Sequence, residues 1–195
     1  KAIDRYKETK KFKTSIYSND YRKYISYLGR ISSEKGFYRF IATALYLREQ
    51  SGFEDIEFLA VCPQSDLNNL NKGFREHLAL KGIKLFPYIE NPFIYYAITK
   101  ILVIPSLYGE GLSRVALEAS LLGIPIAGLY NQGVSSLVKD GLNGELTMDS
   151  SPHGISRVIQ IIMENYEEYC VKSKEQSKII SNKYSSEESI NQVIK

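Results

Sequence analysis

The chain has no tryptophan, two methionines, two histidines and only two cysteines in 195 residues. Cys62 and Cys170 cannot build a disulfide framework, and neither has a second Cys or a His at metal-ligand spacing, so a stapled secreted scaffold and a zinc module are both excluded. Long apolar stretches are missing too: Ile101 to Ile104 and the interrupted run from Ala116 to Ala127 fall well short of the ~20 residues that span a bilayer. After Lys1 and Arg5 the chain stays polar instead of entering an apolar signal-peptide core, so a cytoplasmic protein with reduced thiols is expected. Gly and Pro are neither abundant nor periodic, and 44% of the residues are hydrophobic, which rules out collagen-like repetition and disorder throughout. A formal charge of +3 is too small to point to nucleic acid, but it is unevenly placed, with eight Lys/Arg against three acids in residues 1–24. That span reads as a polar, basic leading segment, a solvated tail; the alternative is peripheral contact with the anionic inner face of a membrane or with a neighbouring domain.

From Ile25 onward short apolar runs alternate with longer amphipathic ones, the pattern of an α/β, doubly wound, mostly parallel sheet of Rossmann-like type. Strands are expected at Ile25 to Leu28, Ile56 to Val61, Ile83 to Phe86, Ile101 to Ile104, Ile124 to Ala127 and Glu145 to Thr147. Helices are expected at Phe37 to Gln50, Leu67 to Lys81, Pro92 to Lys100, Gly111 to Leu122 and Gly133 to Lys139, and again from Pro152 onward with a break near Tyr184. One domain then covers residues 25–182, and residues 183–195 hold a trailing helix.

In such a sheet a ligand sits beyond the carboxyl ends of the strands, which directs attention to two loops. The first, Gly29-Arg30-Ile31-Ser32-Ser33-Glu34-Lys35-Gly36, carries a guanidinium fork and a mobile ammonium, and leads into a helix N-terminus whose N–H groups favour an anion. A plain surface loop in which Glu34 neutralises Lys35 is the competing reading. The second runs from Pro105 through Gly109, Glu110, Gly111, Leu112 and Ser113 to Glu118, with glycines that let backbone approach a ligand and N–H groups of Gly111, Leu112 and Ser113 unpaired at a helix start. On one helix Glu110 and Glu118 would point roughly 80° apart and lie ~12 Å apart along the axis, unsuited to a dyad but suited to two hydroxyl-bearing parts of an extended ligand. A capping acid and a solvated surface glutamate fit the same spacing. Ser106 and Ser113 lack the His and Asp of a hydrolase triad, and no Gly-x-Gly-x-x-Gly follows the first strand, which disfavours a dinucleotide-dependent oxidoreductase.

Taken in order, Gly29-Arg30-x4-Lys35-Gly36, Ile104-Pro105-Ser106, Glu110-Gly111-x6-Glu118-Ala119, Gly123-Ile124-Pro125-Ile126 and Asp140-Gly141-x-Asn143-Gly144 resemble the nucleotide-sugar-binding, C-terminal domain of the retaining GT-B glycosyltransferases, group 1 or family-4 type. The resemblance implies one half of a GT-B architecture, with the acceptor domain missing from this stretch and lying on the same or another chain. It implies Arg30 and Lys35 as electrostatic catalysts on the diphosphate and Glu110 on the donor-sugar hydroxyls. Glu118 would hold the ribose diol, with Gly29, Gly111, Leu112 and Ser113 completing the donor site. It further implies a UDP-sugar or related donor as substrate, a glycan or lipid-linked acceptor, retention of configuration, and no cofactor or essential metal. The chain has no Asp-x-Asp. Where relatives have a Gly-x-Gly-Pro type turn after the second strand this chain has Cys62-Pro63-Gln64, and it has Ser136 where they usually have Glu. A non-catalytic nucleotide-sugar-binding module or partner subunit is the alternative.

Overall fold

The computed structural model describes residues 22–108 and 111–184. Among these, six strands form one parallel sheet: β1 (Tyr24–Leu28), β2 (Glu57–Cys62), β3 (Ile83–Pro87), β4 (Thr99–Ile104), β5 (Ile126–Leu129) and β6 (Gly144–Thr147). Their order is β3-β2-β1-β4-β5-β6, so the chain reverses its direction of winding between β1 and β4, the place in such a sheet where a ligand is expected at the carboxyl edge. The helices are α1 (Phe37–Leu47), α2 (Gln64–Asn69), α3 (Lys72–Leu80), α4 (Phe93–Ala97), α5 (Arg114–Leu121), α6 (Gln132–Ser135), α7 (Pro152–Glu164) and α8 (Tyr166–Lys183).

The central strands are mostly apolar and buried because helices cover both faces of the sheet, while polar residues gather at the strand ends and on the edge strands β3 and β6. Alternate residues serve two separate cores. Ile25, Tyr27, Phe58, Ala60, Ile101 and Val103 face α1 and α7, with Phe37, Phe40, Ile155 and Ile159 packed on them. Tyr24, Leu28, Leu59, Val61, Leu102 and Ile104 face the opposite side, against Tyr96, Ala116, Leu117 and Ile180.

Several boundaries differ from the sequence expectation. The helix expected over Leu67 to Lys81 is two helices: Leu70 is extended (φ −71°, ψ 136°), and Asn71 starts α3 by accepting the Phe74 N–H through its side chain. The helix expected from Gly111 begins only at Arg114, because the Ser113 hydroxyl caps it by accepting the Ala116 N–H at 3.3 Å. The C-terminal helical stretch is broken at Asn165, between α7 and α8. Arg22, read as tail, is buried and donates to the carbonyls of Leu122 and Gly123. Residues 1–21, and residues 185–195 of the expected trailing helix, lie outside the described residues. No described helix is long and apolar enough to cross a membrane.

Candidate functional site

The loop after β1 and the loop after β4 leave adjacent strands at the winding reversal and touch each other. Gly36, with φ +79°, joins the first loop to α1 and presses on the second: a Cβ there would stand 2.1 Å from the Pro105 carbonyl oxygen, so no other residue fits. The Ser106 hydroxyl donates to the Lys35 carbonyl at 3.3 Å, and the Asn131 amide, from the end of β5, donates to the Ser106 carbonyl at 3.0 Å. Arg39, which the sequence reading passed over, bridges the loops by donating to the carbonyls of Ser33 (2.7 Å) and Pro105 (3.5 Å). Its position one turn into α1 was the available signal.

Arg30 is exposed and Lys35 half-buried in the first loop. The helix N-terminus contributes less than expected, because the N–H groups of Gly36 and Phe37 turn back onto the Ser32 carbonyl and that of Lys35 onto the Ser32 hydroxyl. With those donors used internally, the positive field of this loop comes mainly from its two cationic side chains. Gly29 lies at the end of β1, where a Cβ would meet the Tyr27 hydroxyl at 2.7 Å.

On the second loop, Gly109 and Glu110 lie outside the described residues. The helix that carries Glu118, α5, starts only at Arg114, so the helical angle expected between positions 110 and 118 does not apply. Gly111 is exposed with open space where a side chain would be, Leu112 and Ser113 are half-buried, and the Ser113 N–H makes a long 3.5 Å contact to the Gly133 carbonyl instead of pointing outward. Glu118 is 7% exposed, which removes the surface-glutamate reading. Its Oε2 accepts the Tyr96 hydroxyl of α4 at 2.8 Å, a partner 22 residues away that no local pattern reveals.

Two tyrosine hydroxyls near Glu118 are held in their protonated form. Burial and the adjacent Glu118 carboxylate push the Tyr96 hydroxyl far up. Burial, helped by Cys62 and Glu118 and opposed by Arg114, pushes Tyr88 up to about 12. Burial likewise raises the Cys62 thiol to about 12, which denies it the thiolate needed of a nucleophile or metal ligand. Among the described residues, no three of His, Cys, Asp and Glu converge as metal ligands would. His77 and His153 are exposed, the latter edge-on to Tyr46.

The Asp140-Gly141-x-Asn143-Gly144 motif is a structural turn. Asn143 accepts the Lys139 N–H (2.8 Å) and donates to the Leu137 carbonyl (2.9 Å), while Asp140 accepts the Leu146 N–H at 2.9 Å. A Cβ on Gly144 would strike the Ile126 carbonyl oxygen at 2.1 Å, so this glycine lets β6 dock on β5.

The family model for "Glycosyl transferases group 1" matches residues 7–185. Alpha-D-kanosaminyltransferase of Streptomyces kanamyceticus is 29% identical over 133 residues, which are 66% of this chain and 33% of that protein. Anabaena HepE, crystallised with UDP, superposes with a TM-score of 0.71 at 19% identity, over 98% of this chain and 51% of HepE. HepE crystallised with UDP-glucose superposes at 0.67 and 18% identity, over 92% of this chain and 48% of HepE. The C-terminal domain of LpcC, a glycosyl transferase group 1 family protein of Francisella tularensis, gives 0.66 at 20% identity, covering 83% of this chain and 85% of that domain. This chain therefore spans about half the length of HepE and a third of the kanosaminyltransferase. The Rossmann-like sheet, its match to one half of GT-B structures and the family match over most of its length agree: the chain belongs to the group 1 glycosyltransferases.

Proposed function

We propose that this chain is the donor-binding part of a retaining glycosyltransferase that moves a sugar from a nucleoside-diphosphate sugar, a UDP-sugar by preference, to a glycan or lipid-linked acceptor in the cytoplasm. The observation that carries the reading is the apposition of a cationic loop and an acid-bearing loop at the winding reversal, fastened through Gly36, Pro105 and Ser106. HepE, similar in fold, was crystallised with UDP and with UDP-glucose, which supports a donor of that class.

In this reading Arg30 and Lys35 bind the diphosphate and stabilise the negative charge that grows on it as the bond to the sugar breaks. Those two fixed cations supply what a divalent metal supplies elsewhere, and the reaction is assigned to the metal-independent class. Glu118, buried and oriented by the Tyr96 hydroxyl, accepts hydrogen bonds from the ribose diol. Glu110 holds hydroxyls of the donor sugar, while Gly29, Gly111, Leu112 and Ser113 bring backbone close to the phosphates. The acceptor is held by a separate domain, on this protein or another, and product keeps the donor's anomeric configuration.

Calorimetric titration with a panel of UDP-, GDP- and ADP-sugars tests the donor class. Saturable binding of one base class, lost in Arg30→Ala and Lys35→Ala, is the expected result; equal binding by parent and variants would refute the diphosphate assignment. Transfer of the sugar to an added glycan acceptor, read by the anomeric proton signal of the product, separates an enzyme from a module that binds without reacting.

A further inference from the structure

Both polar ends of one peptide unit, the one joining Arg30 to Ile31, are gripped by side chains from other elements. The Tyr27 hydroxyl donates to the Arg30 carbonyl at 2.6 Å, and the Ile31 N–H donates to Asp66 Oδ2 at 2.9 Å. The same carbonyl accepts the Ser32 N–H at 3.0 Å, closing a tight turn. Tyr27 has little freedom to point elsewhere: it is 2% exposed, its ring lies against Phe40 (5.6 Å between centroids) and edge-on to Phe37 (5.8 Å). Its hydroxyl rises through the space that Gly29 leaves empty. Asp66 is delivered from the other side by α2, whose first turn is built on the Pro63 carbonyl.

A peptide group is planar, so holding its C=O and its N–H together fixes that plane, and with the Gly29 N–H held on the Val61 carbonyl at 3.0 Å just upstream it restricts the direction in which the Arg30 side chain leaves the backbone. That side chain is exposed and makes no hydrogen bond or ion pair to another described residue, so the backbone is what aims it. We propose that Tyr27 and Asp66 are positioning residues that together aim Arg30 at the diphosphate; the inference rests on the donor-site reading above. Asp66 itself is an acid beside a site for an anion. By charge alone its removal would tighten nucleotide binding, whereas as a positioning residue its removal weakens it. The two accounts therefore differ in sign.

The test is calorimetric titration of the protein with UDP, with thermal denaturation in parallel. Asp66→Ala is expected to bind UDP about tenfold more weakly than the parent, the scale of one misdirected charge-assisted hydrogen bond. Asp66→Asn, which keeps an acceptor for the Ile31 N–H and drops the repelling charge, should bind at least as tightly as the parent. In an Arg30→Ala background Asp66→Ala should cause no further loss, because the effect passes through Arg30. Tyr27→Phe should reproduce the Asp66→Ala pattern, and it carries the test if Asp66→Ala does not fold. Parental or tighter UDP binding by both Asp66→Ala and Tyr27→Phe, or losses that add to that of Arg30→Ala, would overturn the inference while leaving the donor site standing. Undiminished UDP affinity in Arg30→Ala would instead bring down the donor-site reading, and this inference with it.

Discussion

At the amino ends of β1, β2 and β3, Glu57 pairs with Lys84 at 3.0 Å and with Lys23 at 3.1 Å, and Lys84 also donates to the Tyr24 hydroxyl at 3.1 Å. At the carboxyl ends of β1 and β4 the charges are distributed otherwise: Arg30 stands exposed on its loop, and the Glu118 carboxylate is buried and accepts the Tyr96 hydroxyl. The same sheet thus ends in a network whose charges answer one another and in a rim whose cationic side chain reaches into solvent. The first arrangement serves the fold; the second leaves positive charge available to an anionic ligand, at some cost in self-sufficiency. Substitutions at the two ends should accordingly separate stability from binding.

The largest effect is expected at the joint between the two carboxyl-rim loops. Gly36→Ala places a Cβ against the Pro105 carbonyl and forces an L-residue to φ +79°, and it should cost about 2 kcal/mol or more in chemical denaturation. A parental denaturation midpoint would mean the two loops are not fastened there. Next come Arg30→Ala and Lys35→Ala, each expected to weaken UDP binding by about tenfold to a hundredfold with a melting temperature close to the parent's. A loss of stability without a loss of affinity would move these residues to the structural side of the comparison. Glu118→Gln keeps an oxygen for the Tyr96 hydroxyl but lowers acceptor strength; nucleotide affinity should fall several-fold, with the fold spared. Glu118→Ala should in addition destabilise by about 1–3 kcal/mol, because the buried hydroxyl loses its partner.

The smallest effect is expected at the amino rim. Hydrogen bonding from Lys84, joined by Tyr24 and Lys23, holds the Glu57 carboxyl at about 2, below its ordinary value of 4.5. A depressed carboxylate contributes stability above about pH 4.5 and loses it as the pH falls toward 2. Glu57→Gln should therefore flatten the acid limb of the stability curve slightly, since the carboxylate is about a third exposed, and leave UDP affinity untouched. A change in affinity would break the division between the two rims.

Much of this was readable in the order of residues. Apolar runs four to six residues long, separated by amphipathic stretches, indicated a parallel sheet covered on both faces, and the glycine-bearing loops after the first and fourth strands pointed to the edge proposed here for the donor. What the sequence concealed was set by contacts between distant residues. Leu70 is apolar and in helical register, and only the capping choice of Asn71 breaks the helix beside it. Ser113 and Gly111 are both credible starts for α5, and the cap decides for the former. Nothing local shows that Glu118 is buried against Tyr96, that Asp66 reaches Ile31 across 35 positions, or that the N–H groups expected to greet an anion at α1 turn back onto Ser32.

The central claim, that the loops after β1 and β4 hold one activated sugar nucleotide between them, is tested most directly by a crystal structure of the protein with a UDP-sugar. The expected density places phosphate oxygens within hydrogen-bonding distance of the Arg30 guanidinium and the Lys35 ammonium, with the ribose hydroxyls on Glu118. A nucleotide bound elsewhere, or one held without either cation, would contradict it.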